Sequence, residues 1–184
     1  MGFDLNGIDP QTIGEEPVRP DFDEASDDEI SKYLSDMNMY HDMNPGVYFR
    51  ANVWYWRPLW EYVCDICDNV LTEEDRQEGH MNNGYIIDKE KCVKISVILS
   101  LNLCSGATQG YSDKYQKNMN SAPDEECYLC DGTGERHDKW VDGECNGCRG
   151  KGQRRPDCTS YPFDIETVQE FAAFVNSCGG FEIF

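Results

Sequence analysis

Two identical frames of cysteine and glycine constrain this chain more than anything else in it. Cys127, Cys130, Gly132 and Gly134, then Cys145, Cys148, Gly150 and Gly152, both spell C-x-x-C-x-G-x-G. Two residues between cysteines let both sulfurs turn toward one ion. A glycine just beyond tolerates the positive φ that swings backbone N–H groups toward them. Two such knuckles complete a tetrahedron of thiolates, and the gap between them suits a short two-stranded ribbon at four-cysteine zinc spacing. Tetrahedral thiolate favours one structural Zn²⁺ over a redox dithiol or an iron–sulfur centre. Such an ion contributes on the order of 10 kcal/mol of local folding free energy, which so few apolar residues could not supply.

Charge narrows the partners. The 184-residue chain carries a formal charge of −19, and residues 1–45 hold twelve acids against two bases. Bulk binding to nucleic acid or anionic lipid is disfavoured at long range, whereas a protein partner with a basic surface is favoured. No run approaches the roughly 18 apolar residues of a membrane span. The opening MGFDLNGIDP has neither a basic start nor an apolar centre, and most of the ten cysteines lie in C-x-x-C pairs. Both features point to reducing cytoplasm.

Local signals give the elements. Residues 10–26, proline-rich and acidic, read as an extended connector. Ser26 and Glu29 form a capping box for a helix whose Ile30, Tyr33, Leu34 and Met37 make one apolar stripe, ended by Asn44-Pro45-Gly46. This helix either packs on the body or serves as a detachable arm. Val47, Phe49 and Val53 suggest a strand, with Pro58 in the first turn of a following helix that carries Leu59, Tyr62, Val63 and Ile66 on one face. From Val93 to Leu103 apolar residues alternate as in a half-buried strand. Asp88 as a cap and the length of the run favour a helix. Asp164 caps a last helix with Ile165, Val168, Phe171, Ala172, Val175 and Cys178 facing inward, closed by Gly179-Gly180.

Other constellations carry weaker chemistry. Cys64 and Cys67, with His80 and Cys92, have the side chains for a second, mixed zinc site, or are buried thiols beside a hydrogen-bonded histidine. Arg50, Asn52, Trp54, Trp56, Arg57 and Trp60 crowd indoles and guanidiniums together. They are either a core or the stacking walls of a small-molecule pocket rimmed by His80, Asn82 and Asn83. Arg149, Lys151, Arg154 and Arg155 offer a basic edge, either paired with the protein's own acids or facing a phosphate or RNA with Trp140 as a stacking surface.

The duplicated cysteine pattern resembles the zinc module of DnaJ-type chaperones over residues 127–152, with two repeats instead of four and no His-Pro-Asp signature. The resemblance implies a zinc-held ribbon and not chaperone activity. The wider layout resembles a group of small phage and bacterial proteins through MGFDLNG, YFRANVWYWRPLW, GHMNNG, the cysteine module, YPF and GGFEIF. Asn6 stands where that pattern has Tyr, Asn83 where it has Asp, and residues 11–45 read as an acidic insertion. This second resemblance implies architecture and origin without naming a reaction.

The expected fold is α+β: a small helix-rich body with a short sheet and an inserted four-cysteine zinc ribbon. An N-terminal strand, acidic linker and amphipathic helix occupy 1–45, the main body 46–126 and 159–184, and the ribbon module 127–158. No P-loop, nucleophile arrangement or open metal site is evident. The expected role is a zinc-stabilised, acidic, non-enzymatic protein-interaction module, phage-encoded and acting on a host or viral protein. The alternatives are a nucleotide or small-molecule binder or enzyme built on the Trp/Arg/His cluster, a thiol oxidoreductase, or a virion component.

Overall fold

The computed structural model describes residues 2–184 and has an α+β architecture that divides into two compact units, residues 2–109 with 164–184, and residues 110–163.

The first unit is built on an antiparallel four-stranded sheet of order β2-β1-β8-β3, comprising β1 (Gly2–Gly7), β2 (Tyr48–Asn52), β3 (Tyr85–Ile87) and β8 (Phe181–Ile183). Alternation along each strand sends one side chain set inward. Register places Phe3 opposite Ala51, Leu5 opposite both Phe49 and Ile183, and Ile87 opposite Phe181, all of them buried. On the other face Asp4 lies opposite Arg50 and pairs with it at 3.5 Å.

Three helices, α2 (Val53–Ile66), α4 (Lys89–Ser105) and α6 (Ile165–Ser177), supply the rest of this core. The strand before α2 ends earlier than its apolar residues suggest. Asn52 accepts hydrogen bonds from the N–H groups of Trp54 and Tyr55, so the helix begins at Val53 and Pro58 falls inside it, not in its first turn. Asp164 accepts from Thr167 N and starts α6, which buries Val168, Phe171, Ala172, Phe174 and Val175.

The alternating run is helical. In α4 the alternation resolves into two i, i+4 rows: Ile95 and Leu99 are buried with Cys92 and Ser96, whereas Val93, Val97 and Leu101 are more than half exposed. Asp88 caps its start and Gly106, at φ 77°, its end.

Helix α1 (Asp27–Met43) has the capping box intact, with Ser26 and Glu29 bonding reciprocally, yet Tyr40 alone among its residues is buried. Leu34 of its expected stripe is exposed. What ties this segment down is Asn44, whose buried amide donates to Tyr40 O and Ile13 O and accepts from Ile13 N. The connector is thereby stitched to the helix end. The short α3 (Glu73–Glu78) completes the first unit.

The second unit contains most of α5 (Ala107–Ser121) and two small ribbons: β4 (Glu125–Glu126) paired with β7 (Gln153–Arg154), and β5 (Glu135–His137) paired with β6 (Asp142–Glu144).

Candidate metal centre

The two knuckles fold as near copies of each other. Gly132 N donates to Cys127 O and Gly150 N to Cys145 O, each at 3.2 Å. Across the pair, Cys127 N donates to Gly152 O at 2.9 Å and Cys145 N to Gly134 O at 2.8 Å. Both turns use left-handed backbone at the same places, Asp131 and Gly132 in one, Arg149 and Gly150 in the other. The later glycines interlock. A Cβ on Gly134 would stand 2.4 Å from Gly150 O, and one on Gly152 would stand 2.2 Å from Gly132 O, and both residues have positive φ. Side chains are excluded at these two sites by space as well as by conformation.

This interlock brings four buried sulfurs together, all within 4.8 Å of one another. Cys127 Sγ lies 4.0 Å from Cys145 Sγ, and Cys130 Sγ 3.7 Å from Cys148 Sγ. A tetrahedron with metal–sulfur bonds of about 2.3 Å has sulfur–sulfur edges of about 3.8 Å, so the donor set fits one ion. Gly152 N also donates to Cys148 Sγ at 3.3 Å. Burial pushes the Cys127 thiol up to about 11. At Cys145 burial acts the same way, but N–H groups of Cys148 and Gly147 and the neighbouring thiols outweigh it and draw that thiol down to about 7. The backbone N–H groups at this turn thus favour thiolate within the cluster, as metal capture requires. Four cysteines fill a tetrahedron, which suits a structural ion.

Among the described residues no other set of three or more such ligands converges. Cys64, Cys67, His80 and Cys92 are not gathered into a second site. Burial pushes the Cys64 thiol up to about 11 and the Cys67 thiol up to about 12, and lowers the pKa of the His80 imidazole. Cys92 Sγ instead donates to Ile87 O at 3.8 Å.

The Trp/Arg cluster divides among separate jobs. Trp56 and Trp60 are fully buried and stacked, with ring centroids 5.4 Å apart. Their N–H groups donate to Gly79 O at 2.8 Å and Arg76 O at 3.1 Å, which is what lets two indoles enter the core. Asn52 is spent as a helix cap, Arg50 faces Asp4, and Asn83 donates to Glu78. Trp54, Arg57 and Asn82 are exposed and His80 is half-buried. Stacking walls of an open pocket are not formed by Trp56 and Trp60.

The basic edge is partly committed too. Arg154 pairs with Asp157 and lies 4.8 Å from the centre of the Tyr128 ring. Arg155 donates to Ala122 O at 2.9 Å and to Met119 O, capping the end of α5. Arg149 and Lys151 are exposed, as is Trp140, held at the β5–β6 turn by the Asp138 carboxylate on its N–H. Sequence reading missed Arg155 as a cap and Asn44 as a clamp, because both acceptors lie far away in the chain.

Comparison with family models, curated proteins and solved structures returned no match. Among the described residues no helix is long and apolar enough to cross a membrane.

Proposed function

We propose that the chain is a zinc-stabilised protein-interaction module in which Cys127, Cys130, Cys145 and Cys148 hold one structural Zn²⁺. The observation that carries this reading is the sulfur spacing, 3.7 and 4.0 Å between paired cysteines, close to the tetrahedral edge. With its shell filled, the ion stiffens the ribbon and does no chemistry. The ribbon then presents Tyr128 and Trp140, 62% and 75% exposed, as the kind of aromatic anchor that dominates protein interfaces. The acids of residues 15–29 steer a partner with a basic surface toward the protein. The motif resemblance adds a phage or bacterial setting and a host or viral protein as the partner.

Elemental analysis of protein purified without added metal tests the centre. One tightly held zinc per chain supports it, and metal-free protein with reversible disulfides at these four cysteines replaces it by a redox reading. For the partner, capture from the native host identifies a candidate. Neutralising the acids of residues 15–29 then slows association and flattens its salt dependence, and unchanged kinetics removes the acidic segment from the mechanism.

A further inference from the structure

Helix α4 carries a second apolar row that the fold leaves outside. Val93, Val97 and Leu101 follow one another at four-residue steps, each more than half exposed, with Leu101 the most prominent at 64%. Beside Val93, at one end of the row, opens a cleft of 80 Å³. Cys92 and Val175, both buried, give it an apolar lining, and Ser177 and the Asp9–Lys89 ion pair complete it. A single water needs about 10–15 Å³, so this cleft has room for a leucine side chain.

The charges around the row select what fits it. With a formal charge of −19, copies of the chain repel one another over most of their surface. On α4, however, every charged side chain is matched locally: Lys89 with Asp9 at 2.9 Å, Lys91 with Asp75 at 2.8 Å, and Lys94 with Glu90 at 2.6 Å. From Ile95 to Ser105 the helix has no charged residue. A basic partner gains nothing on this neutral ridge, and an acidic one meets lysines already paired. The complement is another neutral apolar ridge, and the row is symmetric in spacing about Val97.

We propose that two copies of the chain associate through α4, antiparallel, about a two-fold axis at Val97. At 1.5 Å of rise per residue, Val93 and Leu101 stand about 6 Å to either side of Val97 along the helix. The two-fold therefore sets Leu101 of each copy at the level of Val93 of the other, where the cleft opens. Two equal i, i+4 rows lie side by side at a crossing angle of about −50°. Because the same patch is used by both copies, assembly stops at the dimer. A contact centred on one row of three side chains is smaller than the roughly 1,200 Å² of stable complexes, so the dimer is weak and reversible.

The test is sedimentation velocity of the full chain as purified, from about 10 μM to about 1 mM, at about 50 and about 300 mM NaCl. The average mass should rise toward a dimer with concentration, and association should tighten about threefold or more at the higher salt, because screening removes repulsion between the acidic copies. Attraction to a basic partner responds to salt in the opposite sense, so the sign separates self-association from the acid-steered binding proposed above. Leu101→Asp should weaken association at least tenfold with the melting temperature unchanged. In Val97→Cys, with the exposed Cys104 and Cys158 replaced by Ser, mild oxidation should join two copies through position 97, located by mass spectrometry. That link reads the geometry even if the aspartate variant fails to fold. A monomer under all conditions, association that weakens with salt, a dimer indifferent to Leu101→Asp, or a dimer without the link at position 97 overturns the proposal.

Discussion

The carboxylate of Asp75 is completely enclosed and meets the Lys91 ammonium at 2.8 Å. It also accepts from Tyr85 Oη at 3.0 Å and from Thr72 N and Oγ1, each at 2.7 Å, so one side chain joins α3, β3 and α4. A buried charge is tolerated only when its oxygens are satisfied in this way.

Replacing Asp75 by Asn keeps the shape but leaves Lys91, 24% exposed, with only the more distant Asp88 carboxylate at 3.6 Å as counter-charge. The expected loss is about 2–3 kcal/mol, read from urea unfolding midpoints. A loss below about 0.5 kcal/mol would remove the hub from the stability of the fold.

The same hub sets a pH dependence. Burial alone would raise the Asp75 carboxyl, but Lys91, Thr72 and Tyr85 outweigh it and hold it below the usual range. Its contribution is complete above the unfolded carboxylate value of about 4 and is lost as pH falls through the folded value. Burial and the Asp75 bond push Tyr85 up to about 12, and Asp75 raises Lys91 against the effect of burial. Those contributions are complete below about pH 10 and are lost as pH rises through the folded values. Stability profiles of wild type and Asp75→Asn should differ in slope on both limbs, and parallel limbs would contradict the assignment.

Gly152→Ala removes no sulfur ligand, yet its Cβ would stand 2.2 Å from Gly132 O at a positive φ. The substitution should weaken zinc binding at least tenfold in a competition titration with a chromophoric chelator. Chelating the ion from wild type should release amide protection across residues 125–154 while the sheet residues of the first unit keep theirs. Uniform loss throughout the chain would contradict a local metal contribution.

Gly79→Ala probes the indole core. A Cβ there would lie 2.1 Å from the Trp60 ring, and Gly79 O is the acceptor for Trp56. Overpacking of this kind should cost about 2–3 kcal/mol in thermal unfolding, with the near-ultraviolet signal of the stacked indoles altered.

Asn44→Ala removes the two hydrogen bonds to Ile13 that hold the connector, together with the one to Tyr40 O that anchors the amide on α1. Limited proteolysis should then cut residues 10–26 several-fold faster while the core stays resistant. Equal cleavage rates would show that the clamp does not order the connector.

What the sequence determined by itself is local. The C-x-x-C-x-G-x-G frames, the Ser26–Glu29 box and the Asp88 and Asp164 caps act within a few residues, so spacing and residue type specify them whatever the rest of the chain does. The four-cysteine donor set was legible for the same reason, since each half is one turn and the duplication supplies the other. Only the tertiary structure decided that Trp56 and Trp60 are core, because their burial depends on carbonyls at Gly79 and Arg76. It alone left Cys92 out of any cluster with Cys64 and Cys67, its sulfur donating to Ile87 O, and gave Arg155 and Asn44 their distant carbonyls. Interactions of that kind depend on which segments the sheet and helices bring side by side, and this is not encoded at any single spacing along the chain.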